Sequence, residues 1–231
     1  ENMSKLTKQS EDFSKWYLEI IDLAELADYT ATKWAMVIKP YWNRIWELMK
    51  EDLDKRIKNM WVENAIFPTL IPQSFIMKEA DHIEWFAPEL FTVTKIWEKK
   101  LDEPYVLRPT SETIIYDTFS KWVESYRDLP LKINQWANIF RAEKRTRPFL
   151  RTSEFFWQEW HTVHETKKEA DEMVKEALDM YIDFSRNVMA IDTIPWKKTE
   201  SEKFAWADYT TTFEALARDW KAIQAWTSHQ L

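Results

Sequence analysis

The chain has 231 residues, 45% of them hydrophobic and 31% charged, with a net charge of −7. It can bury a sizeable core as one large domain or two small ones, and it is too acidic to coat nucleic acid through a general basic surface. Cysteine is absent, which excludes disulfides and thiolate metal sites. No apolar run approaches the ~18 residues of a membrane span and Glu1–Ser10 has no signal-peptide pattern, so the chain reads as soluble and cytosolic.

Long helical patterns alternate with short strands, which points to an α+β fold. Ser10 is a candidate N-cap, followed by Phe13, Trp16, Ile20, Leu23 and Ala27 at helical spacing. A second helix is expected over Asn43–Asn59, with Ile45, Met49, Leu53 and Ile57 on one stripe. A strand, Val62–Phe67, closes at Pro68 and Pro72. Thr110–Asp128 predicts a helix capped at Thr110 or Ser111. Thr166–Ala190 predicts the longest helix, buried along Ala170, Met173, Val174, Ala177, Leu178, Tyr181, Ser185 and Val188. Between these, Leu131–Glu143 and Arg151–His161 read as two strands of an antiparallel hairpin, joined by Lys144–Leu150.

Period two puts Leu131, Ile133, Gln135, Ala137, Ile139, Arg141 and Glu143 on one face of the first strand. It puts Arg151, Ser153, Phe155, Trp157, Glu159 and His161 on one face of the second. If the faces coincide, one sheet surface interleaves arginines, glutamates, a histidine and aromatics. Such a surface suits a nucleotide with a small zwitterion. Arginine forks grip phosphate oxygens, an aromatic stacks on adenine, and a carboxylate accepts from an amine. A sheet edge laced with salt bridges is the structural alternative.

Arg108-Pro109-Thr110-Ser111-Glu112-Thr113 runs from a strand end into a helix start. It can place Thr110 and Glu112 at a pocket mouth or serve only as an N-cap. His161 and His164 form an HxxH pair, but on a strand i and i+3 face opposite ways, so no structural zinc is expected. His82 and His229 stand alone. The absence of glycine excludes P-loop and Rossmann phosphate loops and a GxSxG nucleophile elbow.

Seven ordered blocks resemble prolyl-tRNA synthetases, class II aminoacyl-tRNA synthetases of the archaeal and eukaryotic type. They are MVIKPYWNRIWE (36–47), FPTLIP (67–72), FAPEL (86–90), VLRPTSETII (106–115), NQWANIFRAEKRTRPFLRTSEFFWQEWHTVH (134–164), KTESEKFAWA (198–207) and QAWTSH (224–229). The resemblance implies an antiparallel sheet flanked by helices, with residues 1–231 forming one catalytic domain. It implies motif 1 at Asn43–Phe67, forming a homodimer, and motif 2 at the hairpin. Arg141 would then contact the ATP α-phosphate and the proline carboxylate, and Glu143, Arg151 and Thr152 the nucleotide, while Phe155 stacks on adenine. Thr110 and Glu112 would meet the imino group of L-proline, with Trp157, Glu159 and His161 as pocket wall. Gln224 and Thr227 would be further ATP contacts, and His229 would meet the terminal adenosine of tRNA(Pro). The implied activity is cytoplasmic proline–tRNA ligation with ATP and Mg²⁺. It needs no protein nucleophile and no membrane.

Some features depart from that family. The resemblance implies an incomplete catalytic domain, with motif 3 and an anticodon-binding domain beyond Leu231, so activity of the chain by itself is in doubt. Ala142 stands where the family has Trp. Glycine numbers zero, where about 16 are expected at this length, and tryptophan numbers 15. By resemblance ten of these stand at family glycines: Trp34, Trp42, Trp61, Trp85, Trp97, Trp160, Trp196, Trp206, Trp220 and Trp226. Trp16, Trp46, Trp122, Trp136 and Trp157 fit family tryptophans or ordinary apolar slots. The pattern suggests glycine codons, UGA, translated as tryptophan. A deliberate substitution series is the alternative.

Two other functions compete with proline activation. One is a class II paralogue that activates another amino acid. The other is a non-catalytic synthetase-like binding or regulatory module, against which Arg141, Glu143 and Arg151 argue.

Overall fold

The computed structural model describes residues 6–77, 90–204, 206–217 and 222–231. His82, Trp85, Trp220 and most of the FAPEL block therefore lie outside the described residues. The chain divides into two compact units. The first comprises residues 1–55, 64–118 and 134–159, and the second residues 56–63, 119–133 and 160–231.

In the first unit, helix α1 (Phe13–Leu23) starts at Asp12, whose carboxylate accepts from the Lys15 N–H at 2.9 Å. Asp12, and not Ser10, is thus the cap, and the helix stops before Ala27. Ala27 begins strand β1 (Ala27–Tyr29), antiparallel to β2 (Met36–Ile38). Helix α2 (Pro40–Asn59) begins three residues earlier than the apolar stripe suggests, because proline suits the first helical turn. Its stripe deepens along the chain to Leu53 and Ile57, both buried. The expected strand at 62–67 contracts to β3 (Glu63–Asn64). β4 (Leu70–Pro72), α3 (Gln73–Met77), β5 (Thr92–Ile96) and β6 (Lys99–Leu107) follow. The order β4-β6-β5 is antiparallel throughout, and Ile71, Ile76 and Val106 form its buried heart.

Helix α4 (Glu112–Trp122) covers only part of the expected 110–128, and a separate 3-10 turn takes Tyr126–Asp128. The Ile115 N–H donates to the Ser111 carbonyl at 3.0 Å, so Ser111 sits at the helix threshold. Strands β7 (Leu131–Phe140) and β8 (Glu154–Val163) lie side by side in the order β3-β7-β8. β7 starts at Leu131 as expected but ends at Phe140, short of Glu143, and β8 is shifted forward from the expected Arg151–His161, because the connector is longer. It turns at an antiparallel Arg147–Arg151 bridge, and the Arg141 N–H still donates to Ser153 O at 2.8 Å.

In the second unit, helix α5 (Lys167–Asn187) opens with a complete capping box between Thr166 and Glu169. Met173, Ala177, Tyr181, Phe184 and Ser185 are buried along it. Phe184 joins that face unexpectedly, and Val188 lies past the helix end and is exposed. T166A is expected to cost about 1 kcal/mol in urea denaturation, because the Glu169 N–H loses the threonine hydroxyl that accepts from it. Strands β9 (Ile194–Lys197), β10 (Tyr209–Leu216) and β11 (Ala222–Gln230) form an antiparallel sheet with β10 central.

Among the described residues six non-glycine residues have positive φ, and three of them are tryptophans: Trp34 (66°), Trp61 (61°) and Trp97 (55°). For a bulky side chain this is a steric outlier.

Candidate active site

The end of β6 is fixed by a buried arginine. Arg108 donates through Nε to the Asn138 carbonyl at 2.8 Å and through Nη1 to the Phe67 carbonyl at 2.9 Å. Burial lowers its pKa and the Glu159 charge opposes the shift. An arginine spent on backbone carbonyls fixes the strand that delivers Pro109, Thr110 and Ser111. Thr110 and Ser111 are buried, and the Thr110 hydroxyl donates to the Glu112 carboxylate.

The expected coincidence of hairpin faces is realised. Arg141 donates through Nε to the Pro109 carbonyl at 3.0 Å. Its guanidinium carbon lies 5.7 Å from the Phe155 ring centre and 5.6 Å from that of Trp157. The two rings meet edge to face at 5.9 Å. One arginine is therefore held by a loop carbonyl and two aromatics, within a contact distance at which cation–π attraction counts. Beside it Glu143 pairs with Arg151 at 3.4 Å, and the Glu143 N–H donates to the Ser153 hydroxyl at 3.2 Å. Arg151 is largely exposed. The Thr152 hydroxyl donates to the Glu154 carbonyl at 2.8 Å.

Glu159 is held more firmly than the sequence pattern suggests. Its Oε1 accepts from the Ser111 hydroxyl at 2.6 Å, Gln135 Nε2 at 2.7 Å and the Trp157 indole N–H at 3.2 Å. Gln135 Nε2 also reaches the Ser111 hydroxyl at 3.0 Å, and Gln135 Oε1 accepts from the Phe67 N–H at 3.2 Å. Burial, with the charges of Glu112 and Glu159, holds the Tyr116 phenol far above its usual range. Ser111, Gln135 and Tyr116 are the residues that sequence reasoning missed. The available signal was a glutamine between Ile133 and Ala137 on a face otherwise destined for burial.

The remaining candidates lie in the second unit. His161 is half-buried on β8. His164 meets the Thr162 hydroxyl at 2.9 Å. Gln224 is exposed and accepts from Lys198. On β11, both ring nitrogens of His229 are engaged, Nδ1 with Thr210 Oγ1 at 2.8 Å and Nε2 with Thr227 Oγ1 at 3.2 Å. Burial, then the charges of Lys198 and His161, lower its pKa to about 4. The folded value lies below the ordinary 6.5, so the unfolded chain binds the proton first as pH falls. His229's contribution is complete above about pH 6.5 and is lost towards pH 4. H229Q is expected to flatten that part of the urea midpoint against pH. Trp226 stacks on Tyr181 at 5.2 Å and on Phe213 at 5.5 Å.

Among the described residues no group of three or more His, Asp or Glu converges to hold a metal ion, and no helix is long and apolar enough to cross a membrane.

The chain is 52% identical over its whole length to a proline–tRNA ligase of Natranaerobius thermophilus, covering 48% of that protein. It is 53% identical over 98% of its length to the proline–tRNA ligase of Deinococcus radiodurans, covering 45% of it. The chain thus spans about half the length of the curated relatives it matches. The crystal structure of prolyl-tRNA synthetase from Cryptosporidium parvum, complexed with halofuginone and AMPPNP, superposes with a TM-score of 0.91 at 42% identity. That superposition covers 96% of this chain and 46% of the other. Residues 91–230, from β5 through the hairpin to the end of β11, match the tRNA synthetase class II core domain (G, H, P, S and T). With more than half of its sequence inside that match, the chain belongs to the class II tRNA synthetase core family.

Proposed function

We propose that the protein is a proline–tRNA ligase, which activates L-proline with ATP and passes the prolyl group to the 3′ end of tRNA(Pro). The observation that carries this is the setting of Arg141, anchored on Pro109 and flanked by Phe155 and Trp157, beside the Thr110–Glu112 pair. The sequence identity to proline–tRNA ligases across the chain supports the choice of amino acid.

In this reading the proline carboxylate attacks the α-phosphorus of ATP in line and pyrophosphate leaves. The new bond is the mixed anhydride of prolyl-adenylate. No protein nucleophile enters. Arg141 holds the carboxylate against the α-phosphate and meets the charge that gathers on the phosphoryl oxygens. Glu143, Arg151 and Thr152 hold the nucleotide, and Phe155 offers the adenine a stacking face. Glu112, joined to Thr110, accepts from the proline imino group. Trp157, Glu159 and His161 form the wall against the ring. Gln224 and Thr227 are assigned to the nucleotide, and His229 to the terminal adenosine of tRNA. Mg²⁺ enters as part of the nucleotide substrate, since it commonly reaches such sites on phosphates with one or two carboxylates. The site belongs to a single cytoplasmic catalytic domain that dimerises through motif 1. Exposure of Leu48 and of Ile66, the latter 94%, in that segment supports the dimer.

The test is ATP–pyrophosphate exchange by the full-length protein with each of the twenty amino acids. Exchange with proline alone is expected. Exchange with another amino acid would move the assignment to a class II paralogue, and none from a folded protein would favour a binding module.

A further inference from the structure

We propose that Gln135 and Ser111 are positioning residues that set the proline pocket through Glu159, a proposal that rests on the function above. Both are buried, at 2% and 0% exposure. Both donate to the same carboxylate oxygen, which also accepts the Trp157 indole N–H. Three donors on one oxygen fix the rotation of the carboxylate, and the carboxylate fixes the tilt of the indole. The same indole flanks Arg141. Gln135 is itself oriented, because its carbonyl accepts the Phe67 N–H, so its amide must turn its donors towards Glu159. The relay therefore runs from a buried amide to the aromatic wall, and meets the nucleotide side of the site only through the indole beside Arg141.

Q135E keeps the acceptor for Phe67 and removes the donor. S111A removes one hydroxyl and keeps the helix-threshold carbonyl. In proline-dependent exchange by the full-length protein, Q135E is expected to raise KM for proline about tenfold or more, with KM for ATP within about twofold. S111A should raise it less. Combining Q135E with E159Q should be markedly non-additive, since both act through one carboxylate. Equal losses for both substrates, or strict additivity in a protein that melts like wild type, overturns the relay. A wild type that exchanges only with another amino acid sinks the proline assignment, and the same KM split is then read on that substrate. A folded wild type inactive with all twenty overturns both.

A separate observation carries a second proposal: we infer that the polypeptide made in its own cell carries glycine at positions 34, 61 and 97. Each takes the left-handed backbone that favours glycine; Glu25, Phe149 and Ala190 share that sign of φ, but these three put the bulkiest side chain there. Trp34 is the third residue of a turn closed by the Ala35 N–H on the Thr32 carbonyl, where φ of 66° demands a type II arrangement. Trp61 follows α2 with φ of 61°, its N–H returning to the Lys58 carbonyl, as in a left-handed helix C-cap. Trp97 begins the two-residue turn between the paired Ile96 and Lys99, where φ of 55° fits a primed hairpin turn. Trp61 and Trp97 are 86% and 90% exposed, so almost no packing offsets their backbone cost, and Trp34 is half-exposed. Trp136 and Trp157, by contrast, have ordinary φ and donate through the indole to Asp54 and Glu159. Mass spectrometry of tryptic peptides from the native protein decides the matter. The peptide Ile96–Lys99 and the peptide beginning at Trp34 are expected at glycine masses, and UGA is expected at the three codons. Tryptophan masses, or UGG codons, overturn the proposal.

Discussion

Replacing Arg141 with lysine is expected to lower kcat for proline-dependent pyrophosphate exchange by about 10²–10³-fold, with little change in melting temperature. Lysine keeps the charge and the reach across Phe155 and Trp157, so the loss isolates the planar fork. In the folded protein the Nε edge is bound to the Pro109 carbonyl, which fixes the plane of the guanidinium relative to the strand. A lysine ammonium has no such plane and cannot address two oxygens at once. The comparison is single-turnover adenylate formation against a thermal melt. A variant within about threefold of wild type would remove Arg141 from the reacting centre.

The same arginine shows how far sequence carries the argument. Alternation placed Arg141, Phe155, Trp157 and Glu159 on coincident faces, and the contacts between them follow. Period two reports a face but not a depth. Gln135 lies on that face, and its apolar neighbours Ile133 and Ala137 hint at burial, but spacing does not reveal the partner, Glu159, that the buried amide meets. Helix bounds failed where local chemistry competed with periodicity. Pro40 starts α2 early, and the capping box of Ser125 and Asp128 takes its own 3-10 turn out of the expected 110–128 helix. The connector of the hairpin is longer than expected for a similar reason, since Phe149 with positive φ and the Arg147–Arg151 bridge make a turn that composition does not encode.

His229 marks a different limit. Isolated in sequence, it reads as a surface or packed histidine, and only the family resemblance implies a contact with the terminal adenosine of tRNA. The fold instead engages both ring nitrogens with threonine hydroxyls of β10 and β11. A histidine so held stays neutral at pH 7, because its pKa lies near 4. Any partner it serves meets an uncharged imidazole locked in orientation, which suits the recognition of a neutral sugar or base edge better than that of a phosphate.

Restoring glycine together at positions 34, 61 and 97 is expected to raise unfolding stability by roughly 1.5–3 kcal/mol. A left-handed backbone costs a non-glycine residue about 1–2 kcal/mol. Glycine gives back about 0.4–1 kcal/mol of that through the greater freedom of its unfolded chain. The remainder is about 0.5–1 kcal/mol at each of three separate turns. The indoles of Trp61 and Trp97 are almost wholly exposed, so little buried contact is lost with them. Trp226 is the counter-case. It stacks on Tyr181 and Phe213, and its edge meets Phe184, so W226G alone should open a cavity and destabilise. Urea denaturation of the triple variant beside W226G separates the two effects. Stabilisation by the triple and destabilisation by W226G are expected. A triple variant less stable than the tryptophan chain would mean that the three indoles are stabilising despite their backbone, and that their turns were built to hold them.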